Sequence, residues 1–202
     1  MPSNLSAELA VAHTRAWVEA AVIGLNLCPF AKAVQAKGQV RYVATEAADA
    51  QALLAVLSDE LQTLAAADAH RLDTTLLIHP HVLADFTDYN HFLEAADAAL
   101  VALGLNGVLQ IASFHPDYQF AGTEVCDVTN ATNRSPYPTL HLLREGSMDR
   151  AVAAFPEAEA IFEANIRTLE ALGAAGWADL QAQCRADAAA ATSAPAAPPS
   201  SG

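Results

Sequence analysis

The chain has 202 residues, enough for one ordinary domain and too few for two full cores. Apolar residues make up 53%, charged residues only 16%, and acids outnumber bases 23 to 10, giving a formal charge of −13. That balance excludes the basic footprint needed to hold nucleic acid or an anionic membrane, and no apolar run reaches the roughly 18 residues of a membrane-spanning helix.

Along the chain, residues 5–27 place Leu9, Ala12, Ala16, Ala20, Ile23 and Leu27 on one stripe, with Trp17 beside it. That i, i+3, i+4 spacing predicts an amphipathic helix closed by Pro29. Residues 39–45 alternate polar and apolar, as a half-buried strand does. Residues 48–67 carry Leu53, Leu54, Leu57, Leu61 and Leu64 on one side and predict a second helix. Leu72 to Ile78 ends in the buried run Leu76-Leu77-Ile78 and predicts a strand. A third helix is expected over 85–103, a strand over 108–114, a short strand over 140–143 and a closing helix over roughly 157–184. The 47 alanines favour helix between the strands, because alanine loses no side-chain entropy there. Residues 1–185 therefore read as a single globular α/β domain. Residues 186–202 hold Ala, Pro, Ser, Thr, Gly and Asp187 with no large apolar residue, and predict a disordered tail. No internal repeat is present.

Strands alternating with helices of this length suggest βαβ crossovers and a small, mostly parallel sheet of about four strands. The carboxyl ends of the first three strands then share one edge, where ligands of such sheets usually bind. Two strands run into that edge through the same dipeptide, Ile78-His79-Pro80 and Phe114-His115-Pro116. Each histidine is either a site residue or a strand exit hydrogen-bonded to backbone.

The connection from His115 to Pro138 is longer than ordinary loops. It contains Tyr118, Phe120 and Tyr137, with Asp117, Asp127, Asn130, Asn133, Arg134 and Ser135 as polar groups able to position a ligand. The alternative is an Ω-loop packed by its own aromatics. Between Tyr42 and Asn133 the chain has 13 acids and one base, Arg71. Arg134 is thus a candidate clamp for carboxylate or phosphate, or else the partner of Asp117 or Asp127. Cys28 is a candidate nucleophile if it meets His115, and otherwise a small buried hydrophobe. A metal site could draw on His79, His81, His115, Asp117 and His141, although no established ligand spacing is present. H-E-x-x-H, C-x-x-C, the P-loop, G-x-G-x-x-G and G-x-S-x-G are all absent. The cofactor is left unknown by the sequence.

Four longer segments go together: Ile23-Gly24-Leu25-Asn26-Leu27-Cys28-Pro29-Phe30-Ala31, Gln110 to Pro116, Thr132 to Pro138, and His141 to Glu145. In this combination the chain resembles the bacterial DUF1415 family over roughly residues 5–180. The resemblance implies a cytoplasmic protein and no particular activity. The family tends to have two acids where this chain has Cys126-Asp127, which leaves Asp127 as the polar candidate there. A cytoplasmic setting also suits the three sparse cysteines and an N-terminus, Met1-Pro2-Ser3-Asn4, without the features of a signal peptide.

The expectation is a cytoplasmic enzyme of hydrolysis or group transfer acting on a small anionic molecule at the shared edge. His115 would be the general acid or base, and Asp117 or Asp127 would orient it. Arg134 would hold the anion, with Asn133, Asn130, Tyr137, Ser135 and His79 completing the site. The alternative is a non-catalytic protein holding a metal or metabolite at the same edge.

Overall fold

In the computed structural model, which describes residues 5–154 and 160–193, helix α1 (Ala7–Trp17) opens at Ser6, whose hydroxyl accepts the Leu9 N–H. Helical structure continues past Trp17 as a π-helix, Val18–Ile23. Gly24 allows this wider turn to close, because a Cβ there would lie 2.2 Å from the Ala20 carbonyl oxygen. Asn26 takes a left-handed φ of 54°, and the chain passes through Pro29 into short α2 (Ala31–Ala36). The single helix expected over 5–27 is therefore an α-helix prolonged by a π turn. An apolar stripe does not distinguish the two, since both present one face.

Strand β1 (Val40–Ala44) lies parallel to β2 (Thr74–Ile78), with α3 (Ala50–Ala66) as the crossover. Asp49 caps α3 by accepting the Ala52 N–H. Helix α4 (Phe86–Ala102), capped by Asp85, leads to β3 (Leu109–Phe114). A 3-10 turn (Val128–Asn133) interrupts the long loop before β4 (Thr139–Arg144). Helices α5 (Glu145–Ala153) and α6 (Ile161–Ser193) follow.

The strand order is β1-β2-β4-β3, and β4 runs antiparallel to both neighbours. The sheet is thus mixed, where a mostly parallel one was expected. The cause is the connection between β3 and β4. It contains no crossover helix to carry the chain back to the opposite edge, so β4 starts where β3 ends and must run the other way. Strands β1, β2 and β3 still point in one direction, and their carboxyl ends share one edge.

Alternation along the strands gives the sheet two faces. Leu77, Leu140 and Leu142 join Leu57, Leu61 and Phe92 of α3 and α4 in a sealed core. Each such leucine stabilises by about 1.5–3 kcal/mol through burial. On the other face Leu76 and Phe114 meet Trp17, Leu169 and Trp177 from α1 and α6. Helix α6 breaks at Gly173 (φ 69°, ψ 171°), a conformation open to glycine and few others. It then runs through Ser193 with Ala188 buried, so residues 186–193 of the expected tail are helical. The remaining tail residues, 194–202, and the expected helix start at 157–159 lie outside the described residues.

Candidate functional site

The two His-Pro exits meet at the shared edge, tied down by the long loop. His79 N–H donates to Pro138 O at 3.0 Å, and His115 N–H to Asn133 O at 3.2 Å. Buried Tyr89 sits between the rings, stacked on His79 at 5.7 Å and tilted against His115 at 5.1 Å. Asp117 N–H donates to His115 Nδ1 at 3.0 Å. The proton of neutral His115 is therefore on Nε2, which reaches Leu83 O at 3.2 Å. His79 Nδ1 lies 3.1 Å from the preceding carbonyl, Val82 O. The two histidines thus grip consecutive carbonyls of a turn whose Leu83 has a left-handed φ of 58°. Burial lowers the pKa of both, that of His79 to about 4. His79 Nε2 is sealed and without a hydrogen-bond partner among the described residues.

The polar residues of the loop are turned on one another. Asn130, 0% exposed, accepts from Phe120 N–H at 3.0 Å and the Thr123 hydroxyl at 2.8 Å, and donates to Glu124 O at 2.9 Å. Asn133 donates to Ser113 O, and Ser135 to Tyr137 O. The Tyr137 hydroxyl meets His13 Nδ1 at 3.1 Å. Arg134 gives Nε to Tyr118 O at 3.1 Å and Nη2 to Val125 O at 2.7 Å. It makes no ion pair with Asp117 or Asp127. Asp127 caps the 3-10 turn, and the backbone N–H and hydroxyl of Thr129 hold its carboxyl below the usual range. Asp117 is exposed. Tyr118 and Phe120 pack edge to face at 5.0 Å, and Tyr118 reaches Phe86 at 5.2 Å. The loop is thus held by hydrogen bonds and ring contacts among its own side chains, with Phe86 of α4 as an outside support. Among the described residues no three His, Cys, Asp or Glu side chains converge as metal ligands do. His81 instead faces Glu46 at 3.5 Å, and His141 lies within β4.

A different region encloses space. Between the sheet face opposite α3 and α4, the π turn, α2 and α5 lies a cavity of about 480 Å3. Its floor includes Leu76, Ala112, Phe114 and His141. Val18 and Val22 come from the π turn, Ala33 and Val34 from α2, and Met148 and Ala151 from α5. Small side chains on facing elements leave the gap, since alanines at 33, 112 and 151 do not reach one another across it. Cys28 lines this cavity, whereas His115 does not. Burial raises the Cys28 thiol pKa, partly offset by the N–H groups of Phe30 and Ala31, so the thiol stays protonated near neutral pH.

The polar groups around the cavity are mostly engaged. Ser147 donates to Asp73, and Arg144 donates to Ala67 O at 2.7 Å and Leu72 O at 3.2 Å, closing the end of α3. His141 differs. Its Nε2 lies 2.6 Å from Thr74 Oγ1, and burial lowers its pKa to about 4. Its Nδ1 has no hydrogen-bond partner among the described residues. From the sequence His141 is a metal candidate and the first residue of the family segment His141 to Glu145, with nothing there to connect it to Thr74 or the cavity. The available signal was a histidine in the middle of the apolar strand Leu140-His141-Leu142-Leu143.

No helix among the described residues is long and apolar enough to cross a membrane. Comparison with curated proteins and with solved structures finds no match. The sequence pattern of DUF1415, described as a protein of unknown function, matches residues 9–179, which takes in the sheet, the long loop and every helix lining the cavity. This chain belongs to the DUF1415 family.

Proposed function

We propose that this protein binds a small, largely apolar molecule in the cavity between the sheet, the π turn, α2 and α5. The observation that carries the reading is a space of about 480 Å3 with mainly apolar walls and, in its lining, a histidine ring nitrogen without a partner among the described residues, His141 Nδ1. That combination, an apolar pocket with few convergent polar groups, is what small-molecule sites present. The π turn beside it adds support, because such turns recur at functional sites. The neutral state of His141 near neutral pH suits it to accept a hydrogen bond from a bound ligand rather than to take its proton. An enzyme acting on a small anion at the 115–138 edge needs more rearrangement. Arg134 would have to exchange two backbone carbonyls for the substrate, and His115 would have to release the turn at Leu83.

The test uses the neutral fluorophore N-phenyl-1-naphthylamine with the intact chain. Saturable binding is expected for the unaltered protein and for Arg134→Ala. Ala151→Phe fills the cavity from α5 and is expected to abolish binding while leaving the unfolding transition in place. Undiminished binding by a folded Ala151→Phe, or loss confined to Arg134→Ala, would move the site to the loop edge.

A further inference from the structure

The hydrogen bonds under the cavity floor fix which ring nitrogen of His141 carries the proton. The Thr74 hydroxyl has one hydrogen and two close neighbours, Leu142 O at 2.7 Å and His141 Nε2 at 2.6 Å. The carbonyl can only accept, so the hydroxyl hydrogen goes to it. The second contact then needs a hydrogen on Nε2. A neutral imidazole carries one ring hydrogen, so Nδ1 is left with a lone pair and no protein donor among the described residues. Burial opposes a second proton, since it would create an imidazolium against apolar walls.

The rest of the lining discriminates by charge. Arg144, the cation among the lining residues, directs Nε and Nη2 to backbone carbonyls. Asp73 places a carboxylate at the same end of the cavity. A carboxylate or phosphate ligand would therefore meet a lone pair and a like charge, and would lose its hydration among apolar side chains. A hydroxyl or amine hydrogen would meet in Nδ1 an acceptor that has no donor among the described residues. We infer that the cavity selects, over an anion, a molecule presenting an O–H or N–H group to His141 Nδ1, an inference that rests on the cavity being the binding site.

Four probes of one shape test it by titration against the intact chain: naphthalene, 1-naphthol, 1-methoxynaphthalene and 1-naphthoate. In the unaltered protein 1-naphthol is expected to bind about five- to tenfold more tightly than 1-methoxynaphthalene, the factor of one net hydrogen bond, with 1-naphthoate weakest. His141→Phe is expected to keep naphthalene binding and to erase the preference for 1-naphthol. Comparing the four probes in the unaltered protein decides the matter even if that variant fails to fold. Equal binding of 1-naphthol and 1-methoxynaphthalene, or tightest binding of 1-naphthoate, overturns the donor inference and leaves the cavity as a site. Failure of all four to bind overturns the cavity reading, and the inference with it.

Discussion

The loop edge and the cavity divide the features by which a site is usually recognised. The 115–138 edge is rich in His, Asp, Asn and Arg, yet Asn130, Arg134, His115 and Ser135 direct their polar atoms to backbone groups nearby. The cavity is poor in polar residues, and His141 Nδ1 in its lining has no partner among the described residues. Residue type therefore identifies the edge, whereas unsatisfied valence and empty space identify the cavity. A buried polar group contributes to the fold when it is paired and to recognition when it is left free.

If the edge is scaffold, changes there cost stability and spare binding. Asn130→Ala is expected to have the largest effect. It leaves Phe120 N–H and Glu124 O short of a partner, while the Thr123 hydroxyl keeps Phe120 O, for a loss of about 3 kcal/mol in urea unfolding. Acid is expected to act through His79 on a similar scale. In the unfolded chain its proton binds near pH 6.5, but burial delays binding in the folded chain to about pH 4. Between those values the unfolded state holds more protons, so stability is full above about pH 6.5 and falls as pH drops toward 4. The contribution is on the order of 3 kcal/mol. A His79→Gln variant should show a flatter stability profile across that window, and an unchanged slope would reject the assignment.

Gly24→Ala tests the cavity wall. The added Cβ meets the Ala20 carbonyl at 2.2 Å, so the π turn has to shift, at a cost of about 1–3 kcal/mol. Unlike the edge variants, it is also expected to weaken fluorophore binding, because Val18 and Val22 belong to that turn. Arg134→Ala is expected to cost least, about 1 kcal/mol, since its two carbonyl partners can turn to water. Thermal melts with and without the fluorophore separate these outcomes.

Much of the fold could be read locally. The run Leu76-Leu77-Ile78 marks a strand that is buried throughout, and the leucines at 53, 57, 61 and 64 mark the helix face against it. The meeting of His79 and His115 follows from two strands reaching the same edge. The insertion of β4 was not legible, because Thr139 to Arg144 reads the same beside any neighbours and strand order depends on long-range pairing. The cavity was hidden for a related reason. Ala33, Ala112 and Ala151 are ordinary residues, and the gap between them exists only once α2, β3 and α5 are brought together. His141 and its free nitrogen depend on Thr74, 67 residues away in sequence.

Intermolecular NOEs between 1-naphthol and the methyl groups of the intact protein test the central claim most directly. Contacts to Val22, Val34, Leu143 and Met148 are expected, since all four line the cavity. Contacts confined to Val125 and Val128 of the long loop would place the ligand at the edge and contradict the cavity as the binding site.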